Sequence, residues 1–256
     1  LTCAYFLALM GHTVELYEEK KHLGGMMRYG IPKYRLPREV LDKEIARIAE
    51  LGVKFELSRE VTDLAAEMKE GGFAAVFLGV GASLARRAYI PAGDAAHVLD
   101  AVTVLRSMEG EEQPLLGRRV VVYGGGNTAM DAARLAKRSG AESVTLVYRR
   151  TRKYMPADEH ELALALADGV TFAELAAPVK QADGVLKCEK MVLGEADASG
   201  RRSPVGSGEF FTVPCDLVIS AVGEQVDDAL MAANGIELDK KGRPAFKTCL
   251  LYTSPS

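Results

Sequence analysis

The chain has 256 residues, of which 48% are hydrophobic and 26% charged, and a net charge of −3 at pH 7. That length holds one large or two medium domains of ordinary globular composition. The positive charge is dispersed and gives no electrostatic footprint for nucleic acid or an anionic membrane, and no apolar run reaches the ~18–20 residues that span a bilayer. Cys3, Cys188, Cys215 and Cys249 are scattered. They form neither a disulfide framework nor a metal-cluster pattern, which points to a reducing, cytoplasmic compartment. His160-Glu161 lacks a second histidine four residues on, so a zinc-protease helix is excluded.

The chain opens inside a helical pattern, with Leu1, Ala4, Tyr5, Ala8 and Leu9 as an apolar stripe and Gly11 as its stop. His12 to Glu18 reads as a strand ending in an acid. Together these form the second half of a strand–helix–strand unit whose first strand and glycine turn are expected upstream of residue 1. Glutamate in the place of Glu18 suits both ribose hydroxyls of an AMP moiety, hence FAD or NAD rather than NADP. Gly24 and Gly25 let the backbone pass close to a flat ligand, and Pro32 and Pro37 predict that the stretch from 24 to 37 is a stiff loop without helix. Arg28 and Arg35 either pair with a pyrophosphate or face solvent. Glu39 to Leu51 predicts a helix with Val40, Leu41, Ile45 and Ile48 inward and Gly52 as its stop, and Val53 to Leu57 a short strand. Ala74 to Leu78, before Gly79 and Gly81, reads as a parallel strand buried on both faces.

Ala95 to Gly117 predicts a connector helix (Val98, Ala101, Val102, Leu105) and a polar loop. The most informative stretch follows. The apolar run Val120 to Tyr123 leads into Gly124-Gly125-Gly126-Asn127-Thr128-Ala129, then a small-residue helix from Thr128 to Ser139, then a second β-rich run ending at Arg149 and Arg150. A glycine turn between a buried strand and a helix lets backbone N–H groups and the helix N-terminus approach a pyrophosphate. The end of the next strand reads the ribose, where arginine suits a 2′-phosphate. The plainer alternative makes these arginines solvated strand-end charges. From Pro178 to Pro214 the period turns antiparallel, Leu217 to Ala221 predicts a further buried strand before Gly223, and Ile236 to Phe246 a hairpin around Lys241-Gly242. Residues 249–256 carry no turn, cap or strand signal and are expected to be non-native.

These readings give an α/β fold: two Rossmann-like nucleotide-binding domains with parallel sheets, the first incomplete, plus a small antiparallel β insert. The expected domains are 1–95 for the first dinucleotide, which a family resemblance implies is FAD, 96–117 as connector, 118–222 for NADPH and 223–248 as the return to the first domain. Without its first strand, the segment 1–95 is expected to be loose on its own while 118–222 holds together.

The stretches Gly24 to Pro37, Gly124 to Asp131, Tyr148 to Pro156 and Val218 to Gly223 resemble, in this order, the glutamate synthase small-subunit family of NADPH-dependent FAD oxidoreductases. The amino-terminal half of dihydropyrimidine dehydrogenase is similar. The resemblance implies that Glu18 binds the FAD ribose, that Gly25, Met26 and Arg35 line the flavin, and that Gly79 and Gly81 lie at the domain crossover. It also implies that Gly124, Gly125, Gly126, Asn127, Thr128, Arg149 and Arg150 hold NADPH and that Gly223 turns the chain back towards the flavin domain. The implied reaction passes a hydride from NADPH to the flavin, with no catalytic side chain. Electrons then go singly to iron–sulfur clusters in a further segment or in a partner such as the glutamate synthase large subunit. Two other classes stay open: a disulfide reductase with two dinucleotide sites, which needs a close dithiol, and a redox-inactive nucleotide-binding interaction module.

Overall fold

The computed structural model describes residues 1–82, 84–86, 90, 97–108, 116–196, 202–239, 242, 244 and 245. The elements in chain order are α1 (Thr2–Leu9), β1 (Glu15–Glu18), α2 (Gly25–Tyr29), α3 (Arg38–Glu50), β2 (Lys54–Leu57), α4 (Leu64–Gly71), β3 (Leu84–Ala85), β4 (His97–Asp100), α5 (Ala101–Ser107), β5 (Arg119–Gly124), α6 (Asn127–Arg138), β6 (Ser143–Tyr148), α7 (Glu159–Ala167), β7 (Thr171–Glu174), β8 (Ala176–Ala182), β9 (Val185–Ala196), β10 (Arg202–Pro214), β11 (Leu217–Ala221), β12 (Glu224–Gln225) and α8 (Asp228–Ala233). They form an α/β protein with parallel sheets and a small antiparallel sheet. Two compact units arise: Leu1–Arg28 with Leu36–Leu84 and Glu224–Ser256, and Tyr29–Arg35 with Ala85–Gly223. Among the described residues no helix is long and apolar enough to cross a membrane.

In the first unit β1 pairs in parallel with β2, Glu15 beside Lys54 through Glu18 beside Leu57. Helix α3 turns Leu41 into the core and half-buries Ile45 and Ile48, but Val40 is exposed, a correction to the expected inward face. A helical stripe is narrower than four neighbouring apolar positions, and Val40 falls outside it. On α1 only Ala4 is fully buried and Leu9 is exposed. Asn234, at the end of α8, accepts from Leu64 N–H and donates to the Thr62 and Leu230 carbonyls, so one amide fastens the start of α4 to α8.

Two expectations for this unit fail. The stretch from 24 to 37 contains helix α2, because both prolines lie downstream of it; the turn stops before Ile31, the residue that Pro32 disfavours in α conformation. Ala74 to Leu78 is not a strand, and Val76 and Phe77 are exposed. This run pairs with no described strand, so its backbone joins no ladder.

The second unit is built on a five-stranded parallel sheet of order β4-β11-β5-β6-β7. Val120, Val121 and Val122 are all buried because both faces are covered. On one face Val120, Val122, Leu146 and Ile219 pack with residues of α5, α6 and α7. On the other, Val121, Val147 and Val218 pack with Ala176, Leu186, Cys188 and Cys215. Strands β8, β9 and β10 form the antiparallel insert, and β8 turns into β9 through Asp183 and Gly184, both with positive φ. That two-residue turn suits the twist of a hairpin.

The expected connector helix is also corrected. Val98 lies in β4, a strand of this sheet beside β11, and the helix begins only at Ala101, where the Asp100 carboxylate caps it by accepting Thr103 N–H at 2.7 Å. In the return segment Leu238 bridges to Pro244 antiparallel, as the expected hairpin requires; Lys241, Phe246, Cys249 and the whole stretch 249–256 lie outside the described residues.

Candidate functional site

The carboxyl ends of β5, β6 and β11 meet at the glycine turn. Register places Gly124 beside Ala221. A Cβ on Gly124 would stand 2.3 Å from the Ala221 carbonyl oxygen and 3.1 Å from the Ala129 Cβ, so hydrogen alone allows α6 to close on the sheet. A Cβ on Gly125 would enter the Tyr148 ring at 2.4 Å, whereas one on Gly126 would meet nothing within 4 Å. The turn is therefore packed from behind at its first two glycines and open at the third. No side chain caps α6: the Ala129 N–H donates to the Gly126 carbonyl at 2.9 Å, and the positive end of the helix dipole lies at that opening.

Past the end of β6, Arg149 is exposed and Arg150 half-buried. Arg150 Nε is buried with no hydrogen-bond partner among the described residues. Ser220 Oγ, one residue before the end of β11, is in the same condition. Unpaired buried polar atoms cost ~1–3 kcal/mol each, so this end of the sheet is chemically unfinished without a polar ligand. Burial pushes the Tyr123 phenol pKa up while the Arg149 charge pulls it down. Gly124, Gly125, Gly126, Asn127, Thr128, Arg149 and Arg150 thus belong to one sheet end. Gly223 lies two residues beyond Ala221 with φ +109, and its carbonyl accepts Arg86 N–H at 2.9 Å.

The segment from Tyr148 to Pro156 is marked in the sequence only by its family resemblance, and the contacts that it and Ala157 and Asp158 make are not. After the short turn Arg152–Tyr154, the chain returns to the glycines: Tyr148 Oη donates to the Tyr154 carbonyl at 2.7 Å, Ala157 N–H to the Gly125 carbonyl at 3.0 Å and Asp158 N–H to Asn127 Oδ1 at 3.1 Å. The Met155-Pro156 pair marks it as non-helical, but nothing local names its partners.

The other expected site residues lie elsewhere. Glu18 ends β1, where its Oε1 accepts Lys20 N–H at 3.0 Å. Gly25 has φ +50 with open space where a Cβ would be, and Met26 is 39% exposed. Gly79 and Gly81 stand in the exposed stretch after 74–78. Arg28 is buried rather than solvated: its Nε donates to the Leu23 carbonyl at 2.6 Å and its Nη2 pairs with Asp42. Arg35, in the second unit, donates through Nη1 to both Asp131 oxygens at 2.7 and 2.8 Å and through Nη2 to Glu161 at 2.7 Å. Tyr34 beside it lies under the Arg134 and Arg138 guanidiniums, which both pair with Asp168.

The thiols bear on dithiol chemistry. Cys188 and Cys215 are fully buried, and Cys215 sits between β10 and β11 rather than inside a strand. Burial pushes the Cys188 thiol up to about 12 and the Cys215 thiol up to about 11, away from the nucleophilic thiolate. In native protein at pH 8, N-ethylmaleimide is expected to leave both unmodified while denaturant exposes them, with peptide mass spectrometry as the readout. Rapid native labelling at either position would revive the dithiol reading.

Three similarities place this architecture among known proteins. The subunit beta of the NADP(+)-dependent formate dehydrogenase of Moorella thermoacetica is 38% identical over 99% of this chain and 37% of its own length. The glutamate synthase [NADPH] small chain of Halomonas elongata is 36% identical over 95% of this chain and 55% of its own length. The fold matches Mycobacterium tuberculosis FprA in complex with NADPH at a TM-score of 0.73 and 20% identity, over 93% of this chain and 70% of that one. The chain spans between 24% and 59% of the length of such curated relatives. The pyridine nucleotide-disulphide oxidoreductase family matches residues 1–249. By that match, across nearly the whole sequence, the chain belongs to the pyridine nucleotide-disulphide oxidoreductase family.

Proposed function

We propose that this chain is the dinucleotide-handling part of an NADPH-dependent FAD oxidoreductase that feeds an iron–sulfur partner. The observation that carries the reading is the sheet end formed by the open Gly126 turn, the uncapped start of α6 and the Arg149–Arg150 pair with its unpartnered buried Nε. The backbone at Gly126, Asn127 and Thr128 would hold the pyrophosphate, where Gly126 lets it approach without a Cβ. Arg149 and Arg150 would hold the 2′-phosphate, a dianion that planar guanidiniums bind through paired donors.

In the first unit, Glu18 at the end of β1 is an acceptor suited to ribose hydroxyls, and the open face of Gly25 beside Met26 suits a flat ring. FAD and NADPH, when bound, supply the hydride exchange, and iron–sulfur groups outside this chain take electrons singly. The protein binds and orients, and no nucleophile or general base is needed. Two relatives named as a subunit beta and a small chain support a role inside a larger assembly. A glutamate synthase large-subunit-like partner is the acceptor this reading favours.

The test is optical. The full-length protein is expected to purify yellow and to lose its visible flavin absorption when NADPH is added without oxygen. A colourless protein, or a yellow one that NADPH leaves unbleached, contradicts the proposal.

A further inference from the structure

We propose that Asn127 and Tyr148 are positioning residues that set NADP(H)-over-NAD(H) selectivity through the segment 152–158, a strap that fixes the distance from the pyrophosphate turn to the arginine pair. The inference rests on the NADP(H) site proposed above and assigns the Asn127 side chain a role other than direct coenzyme ligand. The strap is fastened at both ends. Near its start, the Leu175 N–H donates to the Arg150 carbonyl at 3.1 Å and the Arg152 N–H to Glu174 Oε2 at 2.7 Å. Midway, Tyr148 Oη donates to the Tyr154 carbonyl. At its end, Ala157 and Asp158 donate to Gly125 and to Asn127 Oδ1, and Asp158 then caps α7 by accepting His160 N–H at 2.8 Å.

A backbone N–H can only donate, so the Asn127 amide must turn its oxygen, not its NH2, towards Asp158. The feature that matters at residue 127 is therefore an accepting oxygen. Tyr148 does two jobs: its ring fills the space behind Gly125, and its hydroxyl holds the strap's midpoint. Because the strap continues from Arg150, these bonds set how far the guanidiniums stand from the glycine turn. NADP(H) engages both ends of that span, whereas NAD(H) engages only the pyrophosphate end. A loosened strap therefore penalises NADP(H) more than NAD(H). General destabilisation would weaken both alike.

The test measures NADP+ and NAD+ dissociation constants by calorimetry on the full-length protein and three variants. Asn127→Ala is expected to lower the NADP+/NAD+ affinity ratio about tenfold, since small displacements of binding groups cost that order. Asn127→Asp keeps the accepting oxygen and is expected to keep the ratio within about twofold, even if its charge weakens both coenzymes. Tyr148→Phe keeps the ring and is expected to lower the ratio severalfold, and it carries the test if Asn127→Ala fails to fold. Amide hydrogen exchange at Ala157 and Asp158 is expected to quicken in Asn127→Ala. An unchanged ratio in both Asn127→Ala and Tyr148→Phe overturns the strap. So does an Asn127→Asp ratio that falls as far as that of Asn127→Ala, which would make residue 127 a donor to the coenzyme. A wild-type protein that binds neither coenzyme instead overturns the proposed function, and the inference with it.

Discussion

An Arg149→Ala, Arg150→Ala variant of the full-length protein is expected to lose its preference for NADPH over NADH by about two orders of magnitude or more in kcat/KM. Charge-assisted hydrogen bonds contribute ~1.5–3 kcal/mol each, and every ~1.4 kcal/mol is a factor of ten, so two such groups on one phosphate reach that size. The loss should fall on NADPH, because NADH carries nothing for the guanidiniums to hold. Arg150 is the more telling of the two, since its buried Nε has no partner among the described residues. An unchanged ratio would remove the arginines from coenzyme recognition and leave them as strand-end charges.

Arg35→Ala is expected to destabilise the protein by about 3 kcal/mol, the low end for breaking a buried ion pair because the Arg35 side chain keeps 28% exposure. The cost arises at Asp131, whose side chain is 6% exposed. Burial pushes the Asp131 carboxyl above its ordinary range, and the hydrogen bonds from Arg35 oppose that push. Without Arg35 the burial effect is opposed only by the weaker Arg134 charge, and the carboxyl rises further. A carboxyl raised in the folded state favours folding while it is protonated and loses that contribution as pH climbs through its folded value. The variant should therefore be more destabilised at pH 8 than at pH 5, as read by urea unfolding at both. A deficit under about 1 kcal/mol at both pH values would mean that Asp131 finds other compensation.

The second unit was the more legible because its signals are local. A strand buried on both faces must be apolar throughout, and a tight strand-to-helix turn must be glycine. The first half was less legible because its outcome depends on partners distant in sequence. Ala74 to Leu78 has a strand's composition but no neighbouring strand among the described residues. Val98 looks like the first apolar position of a helix until β11 appears beside it. Arg28 and Arg35 could be read only as ligand-facing or solvated, because their carboxylates stand 14, 96 and 126 residues away. The strap was hidden for the same reason: its acceptors are a backbone carbonyl and an amide oxygen some thirty residues earlier.

The most direct measurement is a crystal of the full-length protein soaked with NADP+. The pyrophosphate is expected against the backbone of Gly126 to Thr128, with the 2′-phosphate within hydrogen-bonding distance of both Arg149 and Arg150. A 2′-phosphate bound elsewhere, with those two side chains turned to solvent, would contradict it.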